Sequence, residues 1–220
     1  GFIAPEQFIP VAEECGLIRE IGLWVLASAC RDARAWCDKG IDFGHVAVNL
    51  SGVQLQHDRF VDSVRQVLDE TGLESSCLEL EVTENFLMQD AKASAHYLHA
   101  LRELGVSIAI DDFGTGYSSL AHLTRFPINK LKIDRSFIKH VCEDAQSREI
   151  SRTIISLGHT LDMQVVAEGI EKRDQLEFLK REGCDEGQGF YISTPLPKAE
   201  FEAFLSDETP APLDPALEQP

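Results

Sequence analysis

The chain has 220 residues, 44% of them apolar, with 20 Lys and Arg against 37 Asp and Glu and a formal net charge of −17. Ordinary apolar content excludes a mostly disordered chain and fits one globular domain, or at most two small ones. The acidic balance excludes a duplex-DNA binder, because phosphate neutralisation dominates that affinity, and it means that an anionic ligand must be held by a local cation.

Two helices open the chain. The first, Pro5 to Glu14, carries Phe8, Val11 and Ala12 on one side; the second, Arg19 to Lys39, carries Trp24, Ala27, Cys30, Ala33 and Trp36 at helical spacing and stops at Gly40. From there short apolar runs alternate with amphipathic stretches. The runs 45–51, 77–83, 107–112, 130–134, 164–168 and 187–192 read as strands. Between them lie the helical stripes Phe60, Val64, Val67, Leu68; then Tyr97, Leu98, Leu101, Leu104; then Ile150, Ile154, Leu157.

Regular alternation of strand and helix predicts an α/β fold with a parallel sheet under helices, and unbroken apolar runs such as 106–110 predict strands buried on both faces. The closed solution is a TIM-barrel-like fold. An open doubly wound sheet is the runner-up, but no glycine-rich phosphate loop follows an early strand, and Gly114-Thr-Gly116 lacks the third glycine. Six strands against the eight of a full barrel predict that the amino-terminal strands are absent from this chain. Residues 1–205 are assigned to the barrel domain. Residues 206–220, with four of the nine prolines, four acids and no base, are assigned to a flexible tail.

No apolar run is long enough to span a membrane, and residues 1–13 do not read as a signal peptide. The six cysteines include no Cys-x-x-Cys pair. They are expected to be reduced, mostly buried thiols of a cytosolic protein.

The polar residues of interest end the strands: Asn49 on the first, Glu79, Glu81 and Glu84 around the second, Asp111 and Asp112 on the third, Lys132 and Asp134 on the fourth, Glu168 and Glu171 on the fifth, Gln188 on the sixth. In a parallel barrel all of these fall on the carboxyl-terminal rim, where the active sites of that fold lie. A single acid near a loop is ordinarily solvated surface. A converging set of carboxylates repels itself and takes up protons or cations. Oxygen donors without His or Cys suit Mg²⁺ or Mn²⁺, and the neighbouring Asp111 and Asp112 suit two ions about 4 Å apart, as in two-metal phosphoester hydrolysis. Lys132, inside an apolar strand, is either a structural ion pair or the group that orients or deprotonates the attacking water. The stretch Asp111-Asp-Phe-Gly-Thr-Gly-Tyr-Ser-Ser119 reads as an adaptable loop, anchored by Glu84 through Ser118 or Ser119; simple helix capping by the serines is the alternative.

The segments Val48-Asn-Leu-Ser51, Glu79-Leu-Glu-Val-Thr-Glu84, the Asp111–Ser119 stretch, Lys130-Leu-Lys-Ile-Asp134, Val166-Ala-Glu-Gly-Ile-Glu171 and Gln188-Gly-Phe190 occur in this order. Together they make the chain resemble the EAL-domain family of bacterial cyclic di-GMP phosphodiesterases. The resemblance implies a modified TIM barrel with Asn49, Glu81, Asp111, Asp112 and Glu168 as ligands of two Mg²⁺ or Mn²⁺ ions. It puts Lys132 near the attacking water with Asp134 beside it, and makes Glu168 a candidate base as well as a ligand. It gives Glu171 and Gln188 supporting or substrate-contacting roles, and Glu84 a role in bracing the loop. The implied reaction opens one phosphodiester of cyclic di-GMP to linear pGpG in the bacterial cytoplasm. The resemblance also implies homodimerisation and fusion to GGDEF or sensory domains. The Glu-Ala-Leu signature itself does not occur in this sequence. That leaves two expectations open: a catalytic domain whose isolated chain is inactive, or a non-catalytic receptor for the dinucleotide.

Overall fold

A computed structural model describes residues 3–116 and 120–206. The first half of the chain forms α1 (Pro5–Glu14), α2 (Ile18–Asp38), β1 (Val46–Leu50), α3 (Gly52–Leu55), α4 (Phe60–Thr71), β2 (Leu78–Thr83), α5 (Glu84–Gln89) and α6 (Ala91–Glu103). It continues with β3 (Ser107–Phe113), α7 (Leu120–Leu123), β4 (Lys130–Ile133), α8 (Arg135–His140), α9 (Ala145–Thr160), β5 (Gln164–Glu168), α10 (Arg173–Arg181), β6 (Glu186–Gln188) and α11 (Lys198–Ser206). A single 3₁₀ turn, Ser75–Cys77, leads into β2. The chain divides into two compact units: residues up to Ile108 with Ala121–Pro127, and Ala109–Leu120 with Ile128 onward.

In the first unit β1 and β2 are parallel, from Val46 opposite Leu78 to Leu50 opposite Val82. Val48 and Leu50 on one strand, and every residue of β2 but the last, are buried. α2 packs on β1 and α4. It buries Ile18, Leu26, Cys30, Ala33 and Trp36, while α4 buries Phe60, Val64, Val67 and Leu68. The Trp36 ring meets Phe43 edge-on at 5.4 Å. Gly72 ends α4 in the left-handed conformation, φ 67°, which costs glycine nothing.

The second unit holds β3 from Ala109 onward with β4, β5 and β6, paired in that order and parallel. Each strand from β3 to β5 returns through helix, the repeat expected of a TIM-barrel-like fold. Ile108, Ala109 and Ile110 are wholly buried, as their apolar run predicts. α9 lies on β4 and β5 through Ile154, Ile155 and Gly158. Gly158 is so close to Val165 that a Cβ there would stand 2.3 Å from the valine methyl. Lys130 and Lys132 alternate with Leu131 and Ile133 along β4, and all four are buried. The Lys130 ammonium is neutralised by Glu186 of β6, Nζ to Oε2 3.0 Å.

Four expectations are corrected. β6 covers Glu186–Gln188 rather than 187–192, because the backbone beyond it bonds to a loop instead of a strand. Ile170 N donates to Gln188 O (3.0 Å) and Tyr191 N to Ile170 O (2.9 Å), and Ile192 and Ser193 then turn back on Gly189 O. Trp24 is 68% exposed; six residues before Cys30 it points well away from the Leu26–Cys30–Ala33 stripe at 100° per residue. Val11 is exposed, and α1 buries only Ala12. Of the six cysteines Cys30 alone is buried; Cys15, Cys37 and Cys142 are exposed. Among the described residues no helix is long and apolar enough to cross a membrane.

Gly189 shows how tightly β6 is seated: a Cβ would stand 2.1 Å from Ile170 O and 2.3 Å from its N. Backbone cannot yield as a side chain does. Gly189→Ala is expected to lower unfolding free energy by about 2 kcal/mol, read by urea denaturation.

Candidate metal centre and substrate-facing residues

In the first unit, alternation puts His45, Ala47 and Asn49 of β1 and its approach on one face, beside Glu79 and Glu81 of β2. Asn49 stands opposite Glu81, the former exposed and the latter buried. Glu79 is also buried, its Oε1 3.3 Å from His45 Nε2. Glu84 is the first residue of α5 and 1% exposed, where the unpaired N–H groups of a helix start favour a carboxylate. Ser118, its expected partner, lies outside the described residues, as does nearly all of the 206–220 tail.

The second unit brings together the acids of β3 and β5. Ala109 stands opposite Lys130 and Ile110 opposite Leu131, but the register then shifts and Phe113 stands opposite Ile133. Two residues, Asp111 and Asp112, therefore oppose the single Lys132. This is a β-bulge, the device by which a strand re-aims a side chain. Asp112 absorbs it with φ 54°, a left-handed conformation that Asp and Asn tolerate and most residues do not. Thr115 secures the turn, its N–H and hydroxyl both donating to Asp112 O (3.4 and 2.9 Å). The Asp112 N–H donates to Asp111 Oδ1 at 3.0 Å.

As a result, carboxylate oxygens of Asp111, Asp112 and Glu168 lie within 4.8 Å of one another, half-buried. Without the bulge, neighbouring aspartates would point to opposite faces. The Lys132 ammonium binds two of the three, 2.6 Å from Glu168 Oε1 and 3.2 Å from Asp111 Oδ1. Asp112 carries the remaining strain of the cluster. Burial above all, then the charges of Asp111 and Asp134, a hydrogen bond with Asp134 and the charge of Glu168 push its carboxyl up to about 6. Three oxygen donors this close form a set able to hold a hard cation.

Asp134 does not continue β4. The strand ends at Ile133 and Asp134 caps α8, its Oδ1 accepting from Ser136 N (3.0 Å) and from the Ser136 hydroxyl. It reaches the cluster through Asp112. Glu171 is exposed on the loop after β5. With Asp134, Arg135, Ser136, Lys139 and Gly169 it lines a cavity of 610 Å³. Gln188 is exposed and stands in register with Glu168. Arg135 and Lys139 were not among the sequence candidates. Both lie on a short helix without strong periodicity, and only the cap at Asp134 turns them towards this cavity.

The chain matches the EAL domain over residues 1–195 and belongs to that family. It is 50% identical over 206 residues to the bifunctional diguanylate cyclase/cyclic di-GMP phosphodiesterase MucR of Pseudomonas aeruginosa, covering 94% of this chain and 30% of that protein. It is 38% identical over 202 residues to the cyclic di-GMP phosphodiesterase PdeR of Escherichia coli, covering 92% of this chain and 30% of the relative. The PaMucR phosphodiesterase in complex with c-di-GMP superposes with a TM-score of 0.89 at 50% identity, covering 91% of this chain and 81% of that one. The six-stranded α/β arrangement is thus of the TIM-barrel-like EAL type. The chain spans about a third of the length of these curated relatives.

The raised Asp112 carboxyl has a consequence for stability. The folded state keeps its proton up to about 6, whereas the unfolded chain releases it near 3.8. The group's contribution is therefore complete below the unfolded value and is lost as pH rises through about 6. With divalent ions chelated, Asp112→Asn is expected to raise the melting temperature at pH 7.5 and to bring no gain near pH 3.5, measured by thermal denaturation across that range. Asn keeps the left-handed φ and removes the charge.

Proposed function

We propose that this domain hydrolyses one phosphodiester bond of cyclic di-GMP, giving linear pGpG. The observation that carries the reading is the bulged Asp111–Asp112 pair meeting Glu168 around Lys132, in a chain of the EAL family. Asp111, Asp112 and Glu168 of the second unit are the residues that would hold a divalent ion, Mg²⁺ or Mn²⁺; that Asn49 and Glu81 serve as ligands too, for two ions in all, is what the family resemblance implies. Such ions supply a nucleophile at neutral pH and offset charge on the phosphate. The net charge of −17 makes that local positive charge a requirement for an anionic substrate.

The protein groups have separable tasks. Held between two carboxylates, the Lys132 ammonium suits orienting water and holding a phosphate oxygen. Glu168, 19% exposed in its side chain and already a hydrogen-bond acceptor, is then the candidate base. Arg135 and Lys139 bring positive charge to the cavity beside Glu171, while Asp134 holds the start of α8 and steadies Asp112. Gln188, next to Glu168 in register, is a support or substrate contact. On this reading the protein acts in the bacterial cytoplasm, as a homodimer and alongside GGDEF or sensory domains; the family resemblance alone supports those points.

Incubating the purified protein with cyclic di-GMP and Mg²⁺ or Mn²⁺ should yield pGpG, followed by chromatography. Binding of the dinucleotide without turnover would favour a receptor instead. In the active protein Asp111→Ala is expected to abolish turnover and to remove the rise in melting temperature that Mn²⁺ gives. Lys132→Met is expected to lower kcat by about 10²–10⁴-fold, the usual contribution of one positioned proton-handling or orienting group.

A further inference from the structure

Gln175, the third residue of α10, is a buried amide with hydrogen bonds on both of its sides. Its Oε1 accepts from Glu171 N at 2.7 Å and from Lys172 N at 2.9 Å. Its Nε2 donates to Ile138 O at 3.1 Å and to Lys139 O at 3.4 Å. Two N–H groups on one side and two carbonyls on the other fix the orientation of the amide. Accepting from the residue that precedes the helix is half of an ordinary capping box, which Glu performs as well as Gln. The donating half goes beyond capping. It reaches carbonyls in the last turn of α8, 36 and 37 residues back in the chain. The same two segments also meet at their other ends. Gly169 lies so close to α8 that a Cβ would stand 2.7 Å from Arg135 Cβ and 3.4 Å from its Cα. Both segments line the cavity of 610 Å³, α8 through Arg135 and Lys139 and the loop through Gly169 and Glu171.

Building on the phosphodiesterase activity proposed for this domain, we propose that Gln175 is a positioning residue: it holds α8 and the 169–172 loop at a fixed spacing, and so sets how tightly the cavity they line binds the dinucleotide. A cyclic dinucleotide is much larger than the carboxylate cluster, so part of it has to be held outside that cluster. The cavity adjoins the reacting groups, because Gly169 directly follows Glu168 and Asp134 directly follows β4, the strand of Lys132. Arg135 and Lys139 offer donors there for phosphate or base oxygens, and Glu171 offers an acceptor for base N–H groups. Neither wall is rigid by itself, since one is a helix of six residues and the other a loop. The reacting groups do not depend on the same amide. Glu168 is in register with Gln188 and bound to Lys132, and Ile170 N donates to Gln188 O at 3.0 Å. Gln175 grips the loop only from Glu171 onward. Loss of that grip weakens substrate and transition state alike, which raises KM and spares kcat.

The test is steady-state hydrolysis of cyclic di-GMP with Mg²⁺ by the wild-type protein, Gln175→Glu and Gln175→Met, with thermal denaturation of each. Gln175→Glu keeps the acceptor that caps α10 but has no N–H to give α8, and its charge faces two carbonyls. It is expected to raise KM by about tenfold with kcat within about twofold, the scale of one or two lost hydrogen bonds. Gln175→Met, which loses both sides of the amide, is expected to raise KM at least as far. A merely capping role gives a different pattern: a wild-type KM in Gln175→Glu, and a lower melting temperature in Gln175→Met alone. That pattern would overturn the proposal, and so would a fall in kcat at wild-type KM. Either variant decides through its KM and kcat if the other does not fold. Wild-type protein that leaves cyclic di-GMP uncut overturns the phosphodiesterase reading, and the role of Gln175 with it; wild-type turnover with unchanged KM in the variants overturns the role of Gln175 alone.

Discussion

Two adjacent carboxylates can face the same point only if the strand that carries them breaks its own alternation. In this protein β3 does so at Asp111–Asp112, opposite Lys132. The left-handed backbone of Asp112 is the local expression of that break. Much of the second unit follows from it. β4 must present a buried cation at the bulge, and β5 must bring Glu168 to the other side of that cation. Moving any of the three strands by one residue would turn its side chain to the opposite face, because strand alternation has a period of two.

Like charges held this close oppose folding, and the structure limits the cost in stages. Lys132 neutralises two acids directly. Asp112 shares a hydrogen bond with Asp134 and is pushed towards its neutral form. One layer below, Lys130 and Glu186 repeat the pairing with an ordinary structural role, linking β4 to β6 across the sheet. A buried lysine left unpaired would be strongly destabilising, so each lysine of β4 is matched to an acid on another strand. The difference between the layers is that the upper one holds more acid than base. An excess of carboxylate over ammonium is a poor structural device and a good cation site.

Much of this was legible from residue types and their positions. Apolar runs ending in Asp, Glu or Lys identified Asp111, Asp112, Lys132 and Glu168, since such groups have no reason to end buried strands together unless they meet. Strand order and the helices α1, α2, α4, α6 and α9 followed from periodicity, with β5 matching its expected limits residue for residue. Other points were not legible. Asp134 was expected beside Lys132 because the two are spaced like neighbours on a strand, yet the strand stops one residue earlier and Asp134 caps a helix. Trp24 was read at helical spacing with Cys30, Ala33 and Trp36, although the buried stripe passes through Leu26. The short β6 depended on Gly189 lying against the backbone of Ile170, a contact between segments far apart along the chain.

From the residues in order come the alternating α/β pattern, the acidic charge balance, the segments shared with the EAL family and the identity of the chemistry-bearing side chains. All of these depend on local composition and on periods of 2 and 3.6, which a linear string records. The meeting of Asp111, Asp112 and Glu168 within 4.8 Å and the elevated Asp112 carboxyl come only with the folded chain. They are decided by strand register, a one-residue bulge and helix-end packing. Each is set by partners distant in sequence, and a shift of a single residue in any of them would leave the local pattern almost unchanged and the site undone.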